Sequence, residues 1–212
     1  MIHVASVVGF EADPHKIVKP SIAFLDNALA AAEKEHSLKR FVLTSSSAAA
    51  SQNKLNEVYD LTDKMWADWA VDEAWAPPPY TMERAVANYF ASKVLTEQKL
   101  WKYVKARKPH FVVNSVLPDL IVGLPVSIEK QGYVSSMAFI KQLFDNDGTV
   151  WRSFGPQWCV DVVDTALLHV ATLLHPKTAN ERIFAYAHRK TWTDFIQRLT
   201  RMYPNRKFPG KS

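Results

Sequence analysis

Along the chain, short apolar runs that end in hydroxyls, prolines or turns alternate with stretches whose apolar positions recur every three to four residues. The first kind reads as buried strands and the second as amphipathic helices. Ile2-His3-Val4-Ala5-Ser6 predicts a strand over residues 2–6. Ile22, Leu25, Leu29 and Ala32 share one face of a helix predicted over 21–34. A strand follows over 40–45; its residues do not alternate in polarity, which predicts cover on both faces. Residues 48–83 show no period and carry Trp66, Trp69 and Trp75 ahead of Pro77-Pro78-Pro79. They are expected to be an irregular lid or packed insertion, its aromatics either lining a cleft or pinning the loop. The strongest helical pattern runs over 84–105, and Phe111 to Val116 reads as the next strand. Leu117 to Pro125 is predicted as a proline-bracketed loop, 135–144 as a helix, and Asp145-Asn146-Asp147-Gly148 as a turn. Val160-Asp161-Val162-Val163-Asp164 gives way to a helix through His169 to Leu174; residues 183–187 are strand-like, and Thr191 caps a last helix over 192–202.

Strand, helix, strand in this rhythm predicts an α/β fold built on a parallel sheet. In open sheets of that kind ligands sit beyond the carboxyl ends of the strands, and Ser45-Ser46-Ser47 lie at such an end.

Composition narrows the function without specifying it. With 212 residues, 48% of them hydrophobic, the chain can bury a substantial core. The net charge of +5 is dispersed and accompanies no nucleic-acid-binding pattern, so a solvated basic surface is the better reading. A single cysteine, Cys159, rules out an internal disulfide framework and a cysteine-based zinc site. Seven histidines show no i,i+4 pair, which argues against a metal. Gly210-Lys211-Ser212 fails as a phosphate loop because position 205 is Asn. No window is apolar enough to span a bilayer, and residues 1–9 lack the features of a signal peptide. A cytoplasmic protein is expected.

The candidate chemistry lies in Tyr89-Phe90-Ala91-Ser92-Lys93. Residues four apart share a helix face. A phenol, whose free side chain titrates near 10, becomes a usable acid or base when a neighbouring ammonium favours its phenolate. Lys93 is that cation for Tyr89, and a serine hydroxyl at the end of the 40–45 strand would hold a substrate carbonyl oxygen beside them. Such a set predicts carbonyl reduction or alcohol oxidation in which a nicotinamide carries the hydride.

Taken together, these motifs resemble the extended short-chain dehydrogenase/reductase (NAD(P)-dependent epimerase/dehydratase) family, in its dihydroflavonol-reductase-like branch with fungal aldehyde and ketone reductases. Phe41-Val42-Leu43-Thr44-Ser45-Ser46 looks like the family's serine strand, and Tyr89 with Lys93 matches its Tyr-x-x-x-Lys signature. The resemblance implies Ser46, Tyr89 and Lys93 as the catalytic trio, with Ser45 and Ser47 as alternative claimants. It implies that Lys93 also binds the ribose hydroxyls with Tyr89 between ribose and substrate. Ser6 would end the strand that passes the cofactor, and Pro118, in Asn114-Ser115-Val116-Leu117-Pro118, would close over the nicotinamide. The implied fold is a Rossmann-like doubly wound parallel sheet forming one NAD(P)-binding domain. Residues 119–160 and 186–212 would contribute a small substrate-side lobe. The implied cofactor is NADP or NAD, with NADP favoured.

The family's Gly-x-x-Gly-x-x-Gly turn is not among the six glycines, at 9, 123, 132, 148, 155 and 210. The first strands of the fold and that turn are therefore expected to be lacking. Two functional readings stand: an NAD(P)-dependent reductase of an aldehyde, ketone or related carbonyl, of the kind that serves secondary metabolism, and a non-catalytic remnant or binding module that no longer holds the dinucleotide. An open sheet edge beside Ile2-His3-Val4 is expected to pair with a second chain as a homodimer.

Overall fold

The computed structural model describes residues 1–53, 56–147 and 154–208. In chain order its elements are β1 (Ile2–His3), α1 (Val18–Lys34), β2 (Arg40–Thr44), α2 (Asp68–Ala74), α3 (Ala85–Arg107), β3 (Val112–Pro118), β4 (Leu120–Val122), α4 (Ile128–Gln131), α5 (Ser136–Phe144), β5 (Gln157–Asp161), α6 (Val162–Leu174), β6 (Arg182–Ala185), β7 (His188–Lys190) and α7 (Trp192–Met202). They fall into two compact units.

The first unit comprises Met1–Gln52, Asp60–Pro118 and Leu167–Ala185. Its sheet has the order β1-β2-β3-β6, every neighbouring pair parallel. The expected two-sided cover of β2 follows from strand parity. Phe41 and Leu43 pack with Leu25, Leu29 and Ala32 of α1, with Leu100 of α3 and with Phe111 and Val113. Arg40 and Thr44 meet the segment that carries α6: Arg40 donates to the carbonyls of Thr172, Pro176 and Thr178, and Thr44 Oγ1 lies 2.8 Å from His169 Nε2. Each fully buried Leu or Val in such a core contributes about 1.5–3 kcal/mol.

The second unit comprises Asn53–Tyr59, Asp119–Ala166 and Tyr186–Ser212. Its sheet has the order β4-β5-β7, with β4 and β5 parallel and β5 and β7 antiparallel. Leu120, Leu143, Cys159, Trp192 and Ile196 form its core, ringed by Phe139, Phe154, Phe195 and Phe208. Thr191 caps α7 as expected, in a reciprocal capping box with Asp194.

Several expectations need correction. The first strand is two residues long, because only Ile2 and His3 find register, with Val42 and Leu43. Residues 48–83 are not wholly irregular: Asp68–Ala74 forms α2, burying Ala70 and Ala74. The predicted loop 117–125 instead contains the end of β3 and all of β4, because Leu120–Val122 pairs with Cys159–Asp161. The late strand predicted over 183–187 ends at Ala185, and His188–Lys190 starts another. Helix α1 begins three residues early, its first turn accommodating Pro20 where amide hydrogens have no intrahelical partner. Gly148 of the predicted turn and Gly210-Lys211-Ser212 lie outside the described residues. Among the described residues no helix is long and apolar enough to cross a membrane, and no group of three His, Cys, Asp or Glu is placed to hold a metal ion.

Candidate active site

All the candidate residues described next belong to the first unit. Helix α3 carries Tyr89 and Lys93 one turn apart, its inner face buried through Ala87, Phe90, Ala91, Val94 and Leu100. The Lys93 ammonium sits 5.5 Å from the centre of the Tyr89 ring. It donates to Ser6 Oγ at 2.8 Å, so the segment leaving β1 is tied to the α3 face that bears the tyrosine. The Tyr89 ring also meets Phe10, centroids 5.8 Å apart.

Ser46 leaves β2 in extended conformation and caps a single 3-10 turn, Ser47–Ala49. Its Oγ accepts from Ala48 N at 3.2 Å, which leaves the hydroxyl proton able to point elsewhere. That turn packs on α3 through Ala48 against Phe90 and Val94, with Tyr89 at the margin of the same cluster. Ser45 and Ser47 are buried, and the Ser45 hydroxyl donates to Glu97 at 2.7 Å. Pro118 ends β3 opposite Ala185 of β6. The structure thus joins Ser6 to Lys93 directly, sets Lys93 beside the Tyr89 ring, and packs the turn that Ser46 caps against α3 through Ala48.

A cavity of about 10 Å³, lined by Ser6, Ser21, Thr44, Ser45, Lys93 and Thr96 among others, opens beside the ammonium. That is room for one hydroxyl-sized group. Ser21 Oγ and Thr96 Oγ1 are buried there without a protein partner. An ammonium and hydroxyls thus converge at the carboxyl end of a parallel strand. His3, on β1, has its imidazole pushed below its ordinary value by burial and then by the charge of Lys93. The Cys159 thiol, in the second unit, is pushed up to about 12 by burial and then by Asp119, which disfavours the nucleophilic thiolate.

Glu97 stands outside the motifs singled out above. This fully buried residue continues the face of Tyr89 and Lys93 by one more turn and accepts hydrogen bonds from Ser45, Ser115, Trp101 and Arg182. The signal was present: a glutamate as the third member of an i,i+4 series, between Val94 and Leu100, on a face that otherwise faces the sheet.

Residues 1–145 match the NAD-binding family model described as male sterility protein. The chain belongs to the extended short-chain dehydrogenase/reductase family. It is 36% identical over 209 residues to an NAD-dependent epimerase/dehydratase of Aspergillus terreus, covering 98% of this chain and 61% of that protein. It is 34% identical over 210 residues to aldehyde reductase 2 of Sporidiobolus salmonicolor, covering 98% and 61%. Among solved structures, Gre2 of Candida albicans in complex with NADPH superposes with a TM-score of 0.81 at 23% identity, over 96% of this chain and 61% of that one. The fold is therefore the Rossmann-like parallel sheet of these reductases. The chain spans about three-fifths of the length of the relatives it matches.

Proposed function

We propose that this chain carries the proton-transfer and ribose-binding part of an NAD(P)-dependent reductase acting on a small aldehyde, ketone or related carbonyl. The observation that carries the reading is the Lys93 ammonium, held at once beside the Tyr89 ring and on Ser6. A bound nicotinamide would supply the hydride. Tyr89 delivers the proton to the carbonyl oxygen, and Lys93 supports the negative charge that the phenol acquires. Ser46 donates a hydrogen bond to the same oxygen and keeps its proton. Its claim over Ser45 is supported by chemistry: the Ser45 hydroxyl is spent on Glu97, whereas the Ser46 oxygen is engaged only as an acceptor. Ser6 and Lys93 hold ribose hydroxyls, and Pro118 ends the strand that would close over the nicotinamide. Residues 119–160 and 186–212 supply the substrate-side lobe of one NAD(P)-binding domain, a division supported by the separate core of the second unit. NADP is the favoured cofactor, since Gre2 neighbours were solved with NADPH.

The test is reduction of a panel of aldehydes and ketones with NADPH and NADH by the wild-type chain and Tyr89→Phe, with cofactor binding followed by tryptophan fluorescence quenching. Removing the acid should lower kcat by about 10²-fold or more while leaving cofactor binding intact. Equal turnover by the variant would remove Tyr89 from the chemistry. Absence of saturable quenching in a folded sample would favour the binding-module reading.

A further inference from the structure

We propose that Glu97 is a positioning residue that sets the distance between the serine strand and the Tyr89/Lys93 face of α3; as a statement about turnover, this rests on the reductase reading above.

The Glu97 carboxylate is fully buried and reaches three strands or their ends at once. Ser45, leaving β2, donates to Oε2 at 2.7 Å, and Ser115 of β3 donates to Oε1 at 2.6 Å. Arg182 of β6 binds both oxygens, Nε at 2.9 Å and Nη2 at 3.3 Å, with Trp101 Nε1 at 3.2 Å. The arginine alone satisfies the charge. The two serine hydroxyls are an addition, and strand parity explains why they reach it: Leu43 lies opposite Ser115, so Ser45 and Ser115 emerge on the face covered by α3.

Ser45 immediately precedes Ser46. Its amide is bonded to the carbonyl of Val116 at 2.8 Å and its hydroxyl to Glu97, so both ends of the residue are fixed before the chain turns into the cap. Tyr89, Lys93 and Glu97 ride on one continuous helix, the first and last about 12 Å apart along its axis. The Glu97 to Ser45 hydrogen bond therefore sets the register between the helix holding phenol and ammonium and the strand end holding the candidate hydroxyl. Arg182 extends the same anchor to the connection that follows the serine strand. Its Nη1 donates to the carbonyls of Asp63 and Met65, both at 2.7 Å, and its guanidinium lies 3.8 Å from the Trp66 ring centre. A misplacement of about 1 Å at a reacting group costs about 10²-fold in rate.

The decisive comparison is Ser45→Ala against Ser115→Ala. Each removes one hydroxyl from the same carboxylate, but only Ser45 is joined to Ser46. Ser45→Ala is expected to lower kcat about tenfold with KM within about twofold, and to speed amide hydrogen exchange across residues 44–50 about tenfold. Ser115→Ala should leave both within about twofold, and Glu97→Gln should follow Ser45→Ala where it folds. Equal effects of the two serine variants on exchange and turnover, or no effect of Ser45→Ala, would overturn the inference. Turnover unaffected by Tyr89→Phe would instead sink the reductase reading, and the exchange asymmetry would still decide whether Glu97 sets the position of the 44–50 segment.

Discussion

Both units bury an apolar cluster, and they differ in what is built around it. In the first, a fully buried carboxylate gathers hydroxyls and a guanidinium from three strands, and the Arg182 side chain that neutralises it is itself only 6% exposed. In the second, rings do the packing: Phe139 lies 5.2 Å from Phe154 and Phe144 lies 5.1 Å from Tyr203, centroid to centroid. Trp192 spends its single donor on the carbonyl of Phe154 at 2.8 Å. Hydrogen bonds to a buried charge are directional and fix one register, whereas apolar contacts scale with area and accept rearrangement. The site proposed above, which must hold a phenol, an ammonium and a hydroxyl in one geometry, is served by the first arrangement. The proposed substrate-side lobe needs only the second.

The sharpest way to break this contrast is Arg182→Met. It leaves the Glu97 charge buried without its counterion and should cost about 4 kcal/mol in urea unfolding, with much of that recovered in the double variant Glu97→Leu/Arg182→Met. Recovery distinguishes a charge pair from simple packing, because truncated packing would add across the two sites. In the second unit the matching experiment is Leu143→Ala, at a fully buried site. A loss of about 3 kcal/mol is expected, against less than about 1.5 kcal/mol for Leu143→Met. Tolerance of the methionine beside intolerance of Arg182→Met would establish the difference between the two cores; equal sensitivity would erase it.

The smallest effect concerns α7. Thr191→Ala removes the oxygen that accepts from Asp194 N and should cost about 1 kcal/mol. The Asp194 carboxyl is held below its ordinary value by the Thr191 amide and hydroxyl. The unfolded chain therefore takes up this proton before the folded one does. The contribution is fully present above about pH 4 and falls away as the pH drops through the folded value. Thermal unfolding of wild type and Thr191→Ala should accordingly converge on acidification, and curves that stay parallel down to pH 2.5 would show that the carboxylate adds nothing to the cap.

How much of this could be read beforehand divides along physical lines. Strand β2 and helix α3 were legible because an unbroken apolar run and a long period leave no alternative to burial, and Thr191 because a capping box is a local interaction. Strand β7 was not, since all three of its residues are exposed and carry no hydrophobic period. Strand β4 was hidden by its length and by Pro118 and Pro125 on either side; its pairing with β5 is a tertiary fact. Tyr89 and Lys93 could be named from spacing. Glu97 stands in the same i,i+4 series, so its burial was open to reading, but its role was not, because its partners are scattered from residue 45 to residue 182.

The sheet order β1-β2-β3-β6 also bears on how the chain acquires its shape. Residues 119–181 separate the end of β3 from the start of β6, so the last strand and its guanidinium reach the ribosome exit well after the other three have emerged. Until then the Glu97 carboxylate has no counterion and β3 has one open side. Closing so long a loop adds little to the equilibrium cost, which grows only as the logarithm of length, but non-local pairing slows the search. Synthesis of this protein should therefore pass through a stage in which β1, β2 and β3 with helices α1 to α3 wait for β6, and a chain halted before residue 182 would be a substrate for chaperones rather than a smaller folded domain.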